Sequence, residues 1–144
     1  MRYAVKGLGL SAALTVVCLA GAAGAATAES SRSEGLYAPS ALVLVVGEGE
    51  DPAAATVERA VTLRCSPAPA GDHPDPVRAC AELHAVDGEF ASLVTDGGDR
   101  FCPTAWAPVT ITADGVWDGR RVSYAHTFPN SCVMAESTTS VFSF

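Results

Sequence analysis

Four cysteines, Cys65, Cys80, Cys102 and Cys132, are spread through the body of this chain, and a fifth, Cys18, lies in an apolar run near its start. That run, Gly7 to Ala26, follows Arg2 and Lys6 and ends in small residues, with Ala26-Thr27-Ala28 suited to signal-peptidase cleavage. A basic start, an apolar stretch and a small-residue end make a secretory signal. No second apolar span follows that would make it a membrane anchor. Val17 stands before Cys18, where a lipoprotein signal needs a small residue, so lipidation is rejected. The expected division is a signal peptide over 1–28 and one domain over 29–144, secreted and extracellular. Removing the signal removes Cys18 and leaves an even cysteine set in an oxidising compartment, the setting for two disulfides. Three connectivities are open. The sequential one, 65–80 with 102–132, closes two modest loops, each stabilising by about 3–4 kcal/mol through lost chain entropy. A metal site has weak support, because there is no Cys-x-x-Cys and the three histidines are scattered. No cofactor is expected.

Charge narrows the partners. From Glu29 onward, seven basic residues stand against 16 acidic ones, a formal charge of −9, with no lysine and no glutamine. Such a balance argues against nucleic acid and against an anionic membrane surface. The length suits one small core.

The elements alternate in type. Glu29 to Gly35 is polar and reads as a frayed end. Ser40 to Val46 is a continuous Val/Leu-rich run, read as a strand covered on both faces or paired at an interface. An acidic turn, Glu48 to Pro52, leads to a second strand over Val57 to Arg64, with Val57, Val61 and Leu63 facing inward. Ser66 to Pro76 carries four prolines and is a loop. Asp75 and Pro76 then look like the cap and first residue of a helix to about Ala85, with Val77, Cys80, Ala81 and His84 on one face. Glu89 to Val94 adds a short helical turn. Val109 to Thr112 and Arg121 to Phe128 alternate as strands, the second with Val122, Tyr124 and His126 on one face. Asp114-Gly115 and Asp118-Gly119 are turn signals, the second a hairpin apex. Cys132 ends a short loop, and Val141 to Phe144 supplies a last strand. Five strands with one or two helices predict an α+β domain, a mostly antiparallel sheet with helix packed on one face.

The segment Phe101-Cys102-Pro103-Thr104-Ala105-Trp106-Ala107-Pro108 has no counterpart in this pattern. Each proline fixes its own φ and pushes the residue before it into the extended region, here Cys102 and Ala107. The result is an extended, exposed loop with Thr104 near its middle. Proteases read substrates in that form, and a loop already held in it binds without a large ordering cost.

Several stretches resemble the Streptomyces subtilisin inhibitor-like proteins. They are Leu36-Tyr37-Ala38-Pro39-Ser40-Ala41-Leu42-Val43-Leu44, Glu58-Arg59-Ala60-Val61-Thr62-Leu63, Asp114-Gly115-Val116-Trp117 with Gly119 and Arg121-Val122-Ser123-Tyr124, the end Ser140-Val141-Phe142-Ser143-Phe144, and the four cysteines. The resemblance covers essentially all of 29–144. It implies a secreted serine-protease inhibitor, a five-stranded antiparallel sheet with two helices, a homodimer, and disulfides Cys65–Cys80 and Cys102–Cys132. It places the reactive bond at Thr104–Ala105, flanked by Phe101, Cys102, Pro103 and Trp106 as protease-contacting residues, with Asn130 supporting the loop from behind. Thr104 departs from the Met or Lys that the family often carries at this position. A small uncharged side chain there implies subtilisin-like or elastase-like targets and weak or no hold on trypsin.

Other classes make their own demands. A hydrolase needs a nucleophile in context, and no Gly-x-Ser-x-Gly elbow is present. A transglutaminase substrate needs Lys or Gln, which 29–144 lacks. A substrate of a metalloprotease is the other form of that alternative. A binding domain with a lapsed loop differs only in failing to inhibit. Phe101 and Trp106 read as core under that bland view, and Trp117 as packing. His73 reads as a solvated loop residue, and His84 and His126 as lying at element edges.

Overall fold

A continuous apolar run sets the first strand, and its burial alternates. In the computed structural model, which describes residues 38–95, 97 and 100–144, β1 spans Ser40–Glu48 with Leu42, Leu44 and Val46 buried and Ala41 and Val43 exposed. The expected signal peptide and the polar segment after it lie outside the described residues. The remaining strands are β2 (Thr56–Ser66), β3 (Ala70–Gly71), β4 (Val109–Trp117) and β5 (Arg120–Phe128). They form one antiparallel sheet in the order β3-β2-β1-β4-β5. Leu44 stands opposite Val61 of β2 and Ala113 of β4, so β1 is central and its core residues meet neighbours on both sides.

The inner face carries the core. Helix α1 (Pro76–Ala85) starts where Asp75 accepts a hydrogen bond from Arg78 N at 3.0 Å and Pro76 occupies a first-turn position with no donor to waste. It buries Ala79, Cys80 and Leu83, and the Cys65–Cys80 disulfide ties it to the end of β2. Burying a leucine such as Leu83 contributes about 2 kcal/mol. The expected helical turn after Gly88 is a 3-10 helix, η1 (Phe90–Leu93), which packs Phe90 against Tyr124 and Phe142. A second helix, α2 (Ser131–Ser137), rests Val133 and Met134 on the same core. A five-stranded antiparallel sheet, two helices and two disulfides agree with the expected α+β architecture.

Several local readings are corrected. The Val141 to Phe144 strand is instead a 3-10 helix, η2 (Ser140–Phe142). Val141 and Phe142 are both buried, which a two-residue period forbids and a tight helical turn permits. The fifth strand is β3, inside the proline-rich loop. Gly71 makes it possible: at φ +115°, it lies so close to the Thr62 carbonyl that any Cβ would collide. Asp114-Gly115 is not a turn, because β4 runs through it, and Gly115 is there for its close approach to Ala41. Only Asp118-Gly119 forms the hairpin. Helix α1 is rotated from the predicted face, since Leu83 rather than His84 faces inward and Val77 is exposed. Val57 is exposed too, because the first half of β2 projects past the core. Of the two readings of β1, cover on both faces within one chain is excluded, as Val43 lies open between Thr62 and Asp114; pairing at an interface is the other.

His73 is a further correction. It is buried, and its two ring nitrogens are occupied: Nδ1 accepts from Asp75 N at 3.1 Å, so Nε2 carries the hydrogen and donates to the Val141 carbonyl at 3.2 Å. The ring thereby fastens η2 to the turn before α1. His84 and His126 are exposed and lean on Trp117 and Phe128, as element-edge residues do. Trp117 is buried, in agreement with a packing role.

Candidate functional site

Between η1 and β4 the chain leaves the sheet as an irregular segment, Phe101 to Pro108. Its side chains project away from the core. Phe101 is 90% exposed and Trp106 63%, with Pro103, Thr104 and Ala105 exposed as well, so the reading of the two aromatics as core is set aside. Apolar rings of this size on a surface mark a contact site. No residue from 101 to 108 has a titratable side chain except Cys102, which is bridged. The segment is equipped for recognition and carries no acid, base or nucleophile.

Main-chain groups fix it. Asn130, buried between β5 and α2, donates from Nδ2 to the Pro103 carbonyl at 2.9 Å and to the Ala105 carbonyl at 3.1 Å. An amide nitrogen has two hydrogens, and here one goes to each side of Thr104. The Asn130 Oδ1 accepts from Val133 N at 3.0 Å, capping α2. The Cys102–Cys132 disulfide joins the N-terminal arm of the loop to the same helix. The C-terminal arm is bonded on both sides: Ala107 N donates to the Pro129 carbonyl at 2.8 Å, and Gly49 N donates to the Pro108 carbonyl at 2.9 Å. An ion pair between Arg100 and Glu136 at 3.1 Å adds little, since the arginine is in solvent.

The sequence reading missed two supports. Helix α2 begins inside the short loop expected up to Cys132 and continues where no element is expected, and its signal is Asn130, a cap, followed by the good helix formers Met134-Ala135-Glu136. Gly49 lies in the expected acidic turn, and a glycine between two strands is the signal of its second part in bonding the Pro108 carbonyl.

Asn130 gives a testable separation. Asn130→Ala loses cap and loop bonds together and is expected to cost about 2–3 kcal/mol in a urea melt. Asn130→Asp keeps the acceptor for Val133 N but presents oxygen to two carbonyls. It is expected to keep the α2 cap while the loop becomes more open to proteolysis. Equal loop protection in Asn130→Asp and the parent would count against the Nδ2 bonds as the loop's support.

Fold and loop together define a class: a small disulfide-tied scaffold that presents an exposed loop held by its main chain. The chain belongs to the subtilisin inhibitor-like family, which matches residues 38–130. It is 50% identical over 145 residues to Kexstatin-1 of Streptomyces platensis, across 100% of both chains. It is 50% identical over 134 residues to the subtilisin inhibitor of Streptomyces violaceus, covering 93% of this chain and 92% of that one. Among solved structures it is similar to Streptomyces caespitosus sermetstatin in complex with Bacillus licheniformis subtilisin. The TM-score is 0.69 at 44% identity, over 74% of this chain and 99% of the other. Its relatives are protease inhibitors, not enzymes.

Proposed function

We propose that this chain is a secreted, substrate-like inhibitor of subtilisin-type serine proteases, with Thr104–Ala105 as its reactive bond. The observation that carries the reading is the pair of Asn130 bonds to the carbonyls on either side of Thr104. The similar sermetstatin chain, solved with subtilisin, supports the choice of target. The loop enters the cleft already extended. The Thr104 carbonyl carbon then faces the catalytic serine and its oxygen the oxyanion hole. Acylation releases the amine of Ala105, but that amine remains attached to a scaffold that keeps it near. Religation competes with hydrolysis because the effective concentration of a tethered amine far exceeds that of a free one. Phe101 and Trp106 supply the apolar contact area typical of binding hot spots.

The same reading includes a homodimer formed near β1. Because β1 is central, association would use the outer face around Val43 rather than edge-strand pairing. Each subunit would then present one loop. The test is a titration of subtilisin with the secreted chain, combined with sedimentation. One protease silenced per subunit, in a dimer, is expected. Full protease activity in the presence of excess chain would overturn the inhibitory reading, and a monomer at micromolar concentration would overturn the dimer.

A further inference from the structure

The C-terminal arm of the loop has a support that its own residues do not provide. Thr110, the second residue of β4, is 2% exposed, yet it carries a hydroxyl. A buried hydroxyl is costly unless bonded. Its Oγ1 lies 2.7 Å from the Gly49 carbonyl oxygen and 2.8 Å from Thr127 Oγ1, and Thr127 Oγ1 lies 3.1 Å from the Glu50 carbonyl oxygen. Two hydroxyls have two hydrogens for these three contacts. The shorter contacts use both: Thr127 donates to Thr110, and Thr110 donates to Gly49. Glu50 is the alternative acceptor for Thr127.

Gly49 is the point of the arrangement. Its carbonyl receives the Thr110 hydroxyl while its N–H donates to the Pro108 carbonyl at 2.9 Å. Its φ of +134° and the approach of Ala55 Cα, 3.1 Å from where a Cβ would stand, leave glycine as the residue that fits. The turn after β1 is thus folded over the root of the loop and fastened there by a threonine pair on β4 and β5.

We infer that Thr110, with Thr127, is a positioning residue of the inhibitory cycle: it holds Gly49 against Pro108 and so limits the swing of the arm that carries the newly formed Ala105 amine. This rests on the inhibitory reading above. Before the bond is cut, the peptide itself holds Ala105 in place. After acylation, the arm from Ala105 to Pro108 is held by the Asn130–Ala105 bond at its tip and by the Ala107–Pro129 and Gly49–Pro108 bonds at its root. A looser Gly49 lowers the effective concentration of the amine at the acyl carbon. The threonine pair therefore acts on the partition between religation and hydrolysis and leaves initial binding alone.

The experiment compares the parent with Thr110→Val, Thr110→Ser and Thr127→Val as full chains. Each is held with subtilisin at equal concentration. The initial inhibition constant, the rate of cutting at Thr104–Ala105 and the exchange of the Gly49 amide in the free protein are then measured. Thr110→Val is expected to be cut about tenfold faster, the scale of one lost hydrogen bond, with an initial constant within about twofold of the parent. Its Gly49 amide exchanges faster, and Thr110→Ser restores both values. Cutting of Thr110→Val at the parental rate overturns the proposal, as does a Ser variant cut as fast as the Val variant. If Thr110→Val fails to fold, Thr127→Val, at a half-buried position, carries the same expectations and the same refutation. The parent distinguishes the underlying reading. If it does not inhibit, or is cut at another bond, that reading fails and takes this one with it, whereas a sound parent with an unaffected variant removes the threonine pair alone.

Discussion

With Cys102→Ser and Cys132→Ser introduced together, the chain is expected to become a substrate of subtilisin, cut at Thr104–Ala105 and released. The bridge closes a loop spanning 30 residues, so its removal lowers stability by about 3–4 kcal/mol. A small domain with about 5–15 kcal/mol in hand remains folded at room temperature. The loss falls on function, because the fold survives it and the loop does not keep its hold. The Cys102 bridge ties the N-terminal arm to α2 beside the reactive bond, and its loss is expected to raise the hydrolysis rate by about a hundredfold, equivalent to about 2.7 kcal/mol. Cys65→Ser with Cys80→Ser is the control. It gives up a similar stability, about 3 kcal/mol, at the junction of β2 and α1, and is expected to remain an inhibitor. A gel time course with residual protease activity distinguishes them. Inhibition that outlasts loss of the 102–132 bridge alone would refute loop rigidity as the cause.

Thr104→Lys is expected to bring in trypsin. A trypsin-type pocket has an acidic residue at its base, and threonine leaves that charge without a partner. Supplying the cation gains about 4 kcal/mol, or about a thousandfold in the inhibition constant. Subtilisin-type sites depend less on this one pocket, so their inhibition is expected to change far less. Phe101→Ala is expected to weaken subtilisin binding by about 2 kcal/mol, since a 90% exposed ring is free to fill an apolar subsite. The parent protein carries the decisive comparison. If it holds trypsin more tightly than subtilisin, Thr104 is not the primary specificity residue.

Where one residue's neighbours lie close in sequence, the fold was readable. The apolar run of Ser40 to Val46 and the alternation of Arg121 to Phe128 predict strands, and Asp75-Pro76 predicts the start of α1. Cys102, Pro103 and Pro108 announced an irregular, extended segment before any resemblance was considered. Legibility ended where distant residues decide. β3 is two residues long and exists because Gly71, paired with Leu63, can pass close to the Thr62 carbonyl, which accepts from the N–H groups of Asp72 and His73. Val-Phe-Ser-Phe at the end of the chain has strand composition, yet Val141 is drawn into a helical turn by His73 and by the core beneath it. Three disulfide pairings were open by residue count, and only the resemblance selected among them. The bonds from Asn130 and Gly49 join residues far apart in sequence, and no local pattern displays such a bond.

Apart from the Cys102 bridge, the bonds described on the loop take hold of peptide groups: the carbonyls of Pro103, Ala105 and Pro108 and the N–H of Ala107. Peptide groups are the same whatever side chain they carry. The frame therefore tolerates exchange at Thr104 or Trp106, and substitutions there should combine additively with changes in the frame. Shape and preference are inherited separately in such a molecule. A lineage can retarget its loop by single replacements without first repairing its stability, and a designer can vary those positions as a cassette.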